Sequence, residues 1–179
     1  MKRTSTTALV LTVAAFLCGL QAQTADWTKY DSPEGQYSIL FPGEPKLSTQ
    51  EATAATGAKL PQYMAISVDS KNETFYSVLY FDLPSDMKFS FNDGRDGILN
   101  KVKGTLISEK AISIEDYSGR ELKISAPNDG AEYIVRARFY LVGTRIYLLQ
   151  LLLDKSADGP IADDKSVKFF DSFQLTKAK

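Results

Sequence analysis

Histidine is absent from all 179 residues of the chain, and the only cysteine is Cys18. Without an imidazole, the chain lacks the commonest general base and the commonest metal ligand of proteins. Ser-His-Asp and Cys-His hydrolysis are therefore excluded within this chain, and so are zinc sites built from cysteine and histidine. Carboxylates, lysine, tyrosine and serine remain as reactive groups. Ser85 and Lys88 match the pattern Ser-x-x-Lys, but the further elements of that catalytic motif are absent from the chain. We predict no catalytic residue, no metal site and no cofactor.

An excess of one charge is also missing, because the chain carries 21 basic and 22 acidic residues, without a long run of either sign. Nucleic acids and anionic membrane surfaces are bound mainly through clustered lysine and arginine. The composition therefore argues against nucleic acid and against an anionic membrane surface as partners.

The N-terminus has the composition of an export signal. Residues 2–3 are basic, the run 8–20 is apolar and uncharged, and small residues follow it. This pattern is typical of a secretory signal peptide, and the run is shorter than the about 20 apolar residues of a membrane span. We predict a signal peptide of residues 1–22 and one exported domain of residues 23–179, with no membrane segment. An uncleaved anchor, or a lipoprotein signal that uses Cys18, remains an alternative.

The predicted mature part has 157 residues and no cysteine, since 22 of the 179 residues are removed. A chain of this length buries roughly 70% of its unfolded surface, so one apolar core suffices without disulfides. Its net charge is −3, with 19 basic and 22 acidic residues, because Lys2 and Arg3 leave with the signal. We expect it in the periplasm or outside the cell.

Most of the mature part alternates apolar and polar residues, as strands with one buried face do. Two stretches instead have helical spacing, with candidate caps at their ends. Residues 48–58 are polar and small, and they predict an exposed loop or an irregular edge strand. The predicted strands are 36–41, 62–69, 74–83, 106–114, 119–126, 132–142 and 145–153, and the predicted helices are 92–104 and 162–173.

A two-residue turn at Gly143 and Thr144 predicts a hairpin of the last two strands. The strand 146–153 is apolar on both sides, which is typical of a central strand with layers over both faces. Because side chains alternate, one face of the hairpin carries Arg136, Arg138 and Tyr140. The turn predicts that Leu141 lies opposite Ile146, Phe139 opposite Leu148, and Val135 opposite Leu152.

Arg136, Arg138 and Tyr140 are the predicted ligand-binding residues. Two guanidinium groups on one face bind a carboxylate or a phosphate well, because each pairs with it bidentately. The alternative is that the arginines pair with acids on neighbouring strands, such as Glu121 or Glu132.

Trp27 and Tyr30 are the predicted partner-binding residues. They lie early in the mature part, next to a turn-rich stretch, and exposed aromatic side chains often mark contact surfaces. A packing role in the core is the alternative. The acidic stretches 93–97 and 154–164 lack the ligand pattern of a calcium loop, and we interpret them as a helix cap and a solvated loop.

Residues 30–45 read Tyr-Asp-Ser-Pro-Glu-Gly-Gln-Tyr-Ser-Ile-Leu-Phe-Pro-Gly-Glu-Pro and end in the pattern Phe-Pro-x-x-Pro. This segment resembles the opening of a group of exported bacterial domains akin to the PsbP/Mog1-like superfamily. Three later features agree in order: residues 119–122, the hairpin 136–153, and the phenylalanine-rich stretch 169–173. The resemblance implies an α+β fold, with a single antiparallel sheet of about six to seven strands sandwiched by helices. It transfers no site.

The sequence thus predicts a non-enzymatic exported domain that binds or supports a partner protein at the cell envelope. Two alternatives stay open. One is a carrier of a small ligand, with a pocket near Arg136, Arg138 and Tyr140. The other is a hydrolase that uses carboxylates alone.

Overall fold

The computed structural model describes residues 27–53, 59–128 and 130–176. The predicted signal peptide and its cleavage site lie outside these residues. Within these residues, the chain forms ten strands, and the two stretches with helical spacing form α-helices. The elements are β1 (Trp27–Ser32), β2 (Tyr37–Pro42), β3 (Lys46–Thr53), β4 (Lys59–Asp69), β5 (Thr74–Asp82), α1 (Phe91–Val102), β6 (Thr105–Ile114), β7 (Tyr117–Asn128), β8 (Ala131–Val142), β9 (Arg145–Asp154), α2 (Pro160–Asp171) and β10 (Gln174–Leu175).

The main sheet is antiparallel and has seven strands in the order β3-β4-β5-β9-β8-β7-β6. β9 is the middle strand, which confirms the prediction from its two apolar faces. The predicted register of the β8–β9 hairpin is also confirmed. Leu141 lies opposite Ile146, Phe139 opposite Leu148, and Val135 opposite Leu152.

The prediction of a single sheet was wrong, because β1, β2 and β10 form a second antiparallel sheet of three strands. β1 is mostly polar and exposed, and β10 has only two residues, so neither shows a clear period of two. β2 was predicted as a strand, but its pattern does not specify its neighbours. Residues 48–58 were predicted as a loop or an irregular edge strand, and the first half of this stretch belongs to the edge strand β3.

Each face of the main sheet has its own apolar layer. On one face, α2 and the small sheet pack against β5, β8 and β9 through buried rings, among them Phe41, Tyr76 and Phe169. On the other face, α1 packs against β7 and β8 through Leu99 and Val102. The predicted sandwich by helices is therefore met only in part, because α2 shares its layer with the small sheet.

Helix α1 begins one residue earlier than predicted. Its cap is Ser90, whose Oγ accepts a hydrogen bond from the backbone N–H of Asp93 at 3.3 Å. The helix ends at Val102, and the N–H of Gly104 donates to the Leu99 carbonyl at 2.9 Å. Across the described ranges, we find no helix with the length and apolar character that a membrane crossing requires.

Candidate functional site

A row of four tyrosines crosses the main sheet on the face that carries the small sheet. The register places Tyr63 of β4, Tyr80 of β5, Tyr147 of β9 and Tyr140 of β8 side by side. The rings of Tyr63 and Tyr80 stack, with centroids 5.1 Å apart and planes 20° apart. The row ends at Gly119 of β7, where a Cβ would lie 2.5 Å from the ring of Tyr140. Strand order and strand register together bring these rings side by side.

The turn between β1 and β2 is fixed to this row. The Tyr147 hydroxyl donates to the Gly35 carbonyl at 2.7 Å, and an Nη of Arg145 donates to the Glu34 carbonyl at 2.9 Å. Within the turn, the Gly35 N–H donates to Ser32 Oγ at 3.1 Å. A Cβ on Gly35 would lie 2.5 Å from that oxygen, so the turn requires glycine. The turn in the segment that resembles the PsbP/Mog1-like group therefore anchors one sheet to the other.

Between the small sheet and strands β3 to β5 lies an open groove of about 600 Å³, which we call the tyrosine groove. Tyr37 and Tyr80 are buried in its floor. Tyr63 is 41% exposed and Leu47 is 64% exposed, so both are accessible at its rim. Tyr30 of β1 also lines it. The groove thus has a fixed aromatic floor and an accessible apolar rim.

An ion pair lies where β5 borders the tyrosine groove. Arg145 donates to both carboxylate oxygens of Asp82, at 2.7 and 2.8 Å, and its guanidinium carbon lies 5.0 Å from the ring centroid of Tyr80. The hydrogen bonds from Arg145 lower the pKa of Asp82. Burial raises the pKa of Tyr80, although Arg145 opposes this, and burial also raises the pKa of Tyr30. These phenols therefore stay protonated near neutral pH, suited to stacking and hydrogen bonding rather than to base catalysis.

The predicted ligand-binding arginines share a second cleft of about 260 Å³, lined also by α2. Arg136 forms ion pairs with Asp158 and with Asp163, the latter at 2.6 Å, and its Nη1 donates to Ser166 at 3.1 Å. Its Nε is buried and has no hydrogen-bond partner among the described residues.

Arg138 contacts Glu121 at 2.5 Å and Asp171 at 2.6 Å, and it lies over the ring of Phe170. Its pairing with Glu121 is the alternative stated from the sequence. Glu132 instead pairs with Lys155 at 2.7 Å.

Tyr140 does not line this cleft. Its ring is buried and stacks on Phe173, with centroids 6.1 Å apart and planes 7° apart. The structure therefore brings two of the three predicted ligand-binding residues together, and a ligand for them stays a prediction.

The two predicted partner-binding residues are both partly exposed, but they lie at different places. Tyr30 packs against Tyr37 and lines the tyrosine groove. Trp27 packs edge-on against Tyr76 at 5.6 Å and has Lys168 Nζ 4.9 Å from its ring centroid. Of the two, Tyr30 belongs to the candidate site.

In the described ranges, no cluster of three or more carboxylates could hold a metal ion. Asp93 lies in the first turn of α1, where Ser90 caps its N–H. In the second acidic stretch, Asp158 and Asp163 pair with Arg136.

Sequence reasoning missed Tyr37, Tyr63, Tyr80 and Tyr147 as residues of one site. For Tyr63, Tyr80 and Tyr147, the signal that could have found them is a tyrosine at matching positions of neighbouring strands. It needs the order of the strands, because β5 pairs with β9, which comes after three intervening strands in the chain.

The seven-stranded antiparallel sheet, with its small accessory sheet and two helices, has the PsbP-like α+β fold. The solution structure of the cyanobacterial PsbP, CyanoP, from Synechocystis sp. PCC 6803 matches with a TM-score of 0.59 and 12% identity, over 87% of this chain and 95% of that chain. This confirms the resemblance at the level of the fold. No family model and no curated protein matches the sequence.

Two weaker matches are too distant to carry an argument. PA94 of Pseudomonas aeruginosa, a protein of unknown function, has a TM-score of 0.40 and 12% identity, over 79% of this chain and 94% of that chain. LpqN of Mycobacterium tuberculosis, described as involved in cell envelope biogenesis, has a TM-score of 0.38 and 11% identity, over 76% of this chain and 87% of that chain.

Proposed function

We propose that the protein is a non-catalytic binding domain of the cell envelope, and that a partner protein binds in the tyrosine groove. The observation that carries this proposal is the groove itself, in which protonated phenols form a fixed floor below an exposed rim. Tyrosine is enriched at protein interfaces, because its ring is rigid and its hydroxyl can still bond to water or to a partner. The fixed turn that borders the groove lowers the ordering cost of binding.

Export of this domain, as residues 23–179 after removal of residues 1–22, is part of the same proposal. It is supported by the basic start and the uncharged apolar run 8–20. Mass spectrometry of the protein from its native cells tests it. The expected result is the mass of a chain that begins at or near residue 23. An intact Met1, or a lipid on Cys18, would contradict the predicted signal.

Pull-down from an envelope extract tests the groove, with wild-type protein compared with Tyr63→Ala. Tyr63 is accessible, so its loss removes rim contacts and leaves the buried floor in place. An interface tyrosine that a partner covers is expected to cost about 1 kcal/mol or more when it is truncated to alanine, which is about 5-fold or more in Kd. Tyr117→Ala is the matched control, because Tyr117 is also partly exposed but does not line the groove. A partner that is recovered equally well by Tyr63→Ala contradicts the proposal.

The arginine cleft supports a second candidate function, the binding of a small anion. The observation in its favour is the buried Arg136 Nε without a hydrogen-bond partner. Against it, Asp158, Asp163, Glu121 and Asp171 already neutralise the two guanidinium groups. Native mass spectrometry of wild type and Arg138→Met tests this candidate. If the variant retains a co-purified anion, Arg138 does not bind it.

A further inference from the structure

We propose that the partner of the tyrosine groove is an extended peptide segment, which adds a strand to the free edge of β3. This inference rests on the function proposed above and names the form of its partner. Strand addition to a sheet edge supplies affinity through backbone hydrogen bonds and specificity through alternate side chains.

The first support is the edge itself. β3 is the outermost strand of the main sheet, and all eight of its residues pair with β4 in continuous register from Lys46 to Thr53. An edge strand presents alternate N–H and C=O groups to the outside, and a regular strand is a template for another chain. No other strand in the described residues pairs with the outer side of β3.

The opposite edge makes a useful contrast. β6 is also outermost, but its register with β7 shifts between Leu106 and Ser108. Both edges carry charged side chains: Glu109 and Lys110 of β6 pair with Arg95 and Glu121, and Glu51 of β3 pairs with Lys59. The register shift is therefore what distinguishes β6 from β3, and a bulge of this kind protects an edge from pairing. Of the two edges, only β3 pairs in continuous register, and it borders the tyrosine groove, whereas β6 borders the smaller arginine cleft.

The side chains of β3 connect its edge to the groove. Leu47 and Thr49 are two residues apart, so both side chains lie on the face of the groove, beside Tyr63 of β4. An added strand follows the same alternation, so every second partner residue faces the groove. These partner residues are expected to be apolar or aromatic, because Leu47 and Tyr63 offer exposed apolar surface.

The charge near the groove indicates a basic residue in the partner. Glu34 lines the groove and is exposed, and neither it nor Glu44 has an ion pair among the described residues. Both carboxylates lie close enough to Tyr30 to help raise the pKa of its phenol, after the larger effect of burial. Among the residues that line the groove, the cation is Arg145, and it is committed to Asp82. A lysine or arginine of the partner would therefore find an unpaired acid.

A displayed library of random 12-residue peptides is the probe for this inference. Peptides are selected on the mature protein and counter-selected on Tyr63→Ala. The strongest binder is then synthesised with one backbone nitrogen methylated at a time. Strand addition predicts that methylation lowers affinity by about 10-fold or more at every second position and by little between them, because only alternate N–H groups face β3.

Amide hydrogen exchange locates the bound peptide on the intact protein. Slower exchange in β3 and unchanged exchange in β6 are expected. Peptides that lose binding on Tyr63→Ala, but show no alternation on methylation, overturn strand addition and leave the groove as a binding site. A library that yields no groove-dependent peptide overturns both proposals. Sedimentation of the free protein tests for a dimer. A dimer in which β3 is protected from hydrogen exchange would assign the edge to a second copy of the chain and would overturn the peptide proposal.

Discussion

The hydrogen bond from Tyr147 to Gly35 tests the claim that the β1–β2 turn is fixed to the main sheet. Tyr147→Phe removes only the hydroxyl that donates to the buried Gly35 carbonyl at 2.7 Å. The ring itself remains packed, because its contacts with Tyr37 at 6.0 Å and Phe173 at 5.4 Å do not involve the hydroxyl. The hydroxyl also interacts with Arg145, which donates to the Glu34 carbonyl of the same turn, so the change tests the polar anchor of the turn without removing the packing around it.

The magnitude follows from the burial of both partners. Tyr147 is 1% exposed, and Gly35 is buried in the turn, so water does not readily replace the hydroxyl. A buried acceptor left without its donor costs about 1–3 kcal/mol. A domain of this size loses about 2–4 °C of Tm per kcal/mol, so Tm is expected to fall by about 2–12 °C.

Urea unfolding of the mature protein, followed by circular dichroism, measures the free energy of unfolding. The slope of the transition should not change, because the surface exposed on unfolding is nearly the same. Tyr117→Phe is the control, since this partly exposed hydroxyl has no hydrogen bond in the described structure. If Tyr147→Phe and Tyr117→Phe unfold at the same urea concentration, the hydroxyl does not anchor the turn.

Two further predictions concern acid stability and helix α1. Burial alone would raise the pKa of Asp69, but hydrogen bonds, led by that from Lys165, lower it on balance. Its stabilising contribution is therefore complete above the ordinary pKa of about 4 and is lost as pH falls through the lowered pKa. Asp69→Asn should be less stable near neutral pH and approach wild type in acid, and a constant difference would contradict this. Gly97→Ala should raise the free energy of unfolding by about 0.5–1 kcal/mol, since the added Cβ would meet open space. Gly94→Ala should gain less, because its Cβ would lie 2.9 Å from Phe89, and equal gains in urea unfolding would contradict the packing.

Local sequence predicted the elements of the main sheet well where both turn chemistry and periodicity were present. Gly143 lies in the turn of the β8–β9 hairpin with a φ of +63°, and the two apolar faces of β9 indicated its central place. β1 and β10 were missed because a polar strand and a two-residue strand carry little periodic signal. The second sheet follows from them, since β2 alone does not show which strands it pairs with.

The candidate site could not be predicted in the same way. Arg136 and Arg138 do share a face, as alternation requires, but Asp163 and Asp171 reach them from α2. No local pattern shows where a helix packs over a sheet. Tyr63 likewise meets its neighbours only because β4 pairs with β5, and β5 pairs with β9.

Stability and binding depend on different parts of the same aromatic row. Tyr147 is buried and holds the turn. Its substitutions should therefore lower the free energy of unfolding more than they weaken the contacts of a partner with the groove rim. Tyr63, which ends the row on the β4 side, is exposed and stacks on Tyr80 at the rim of the groove. Its removal leaves the turn bonds of Tyr147 and Arg145 in place. A loss of partner binding in Tyr63→Ala with nearly unchanged unfolding therefore reports on the groove surface, whereas a parallel loss of both would place Tyr63 in the structural core.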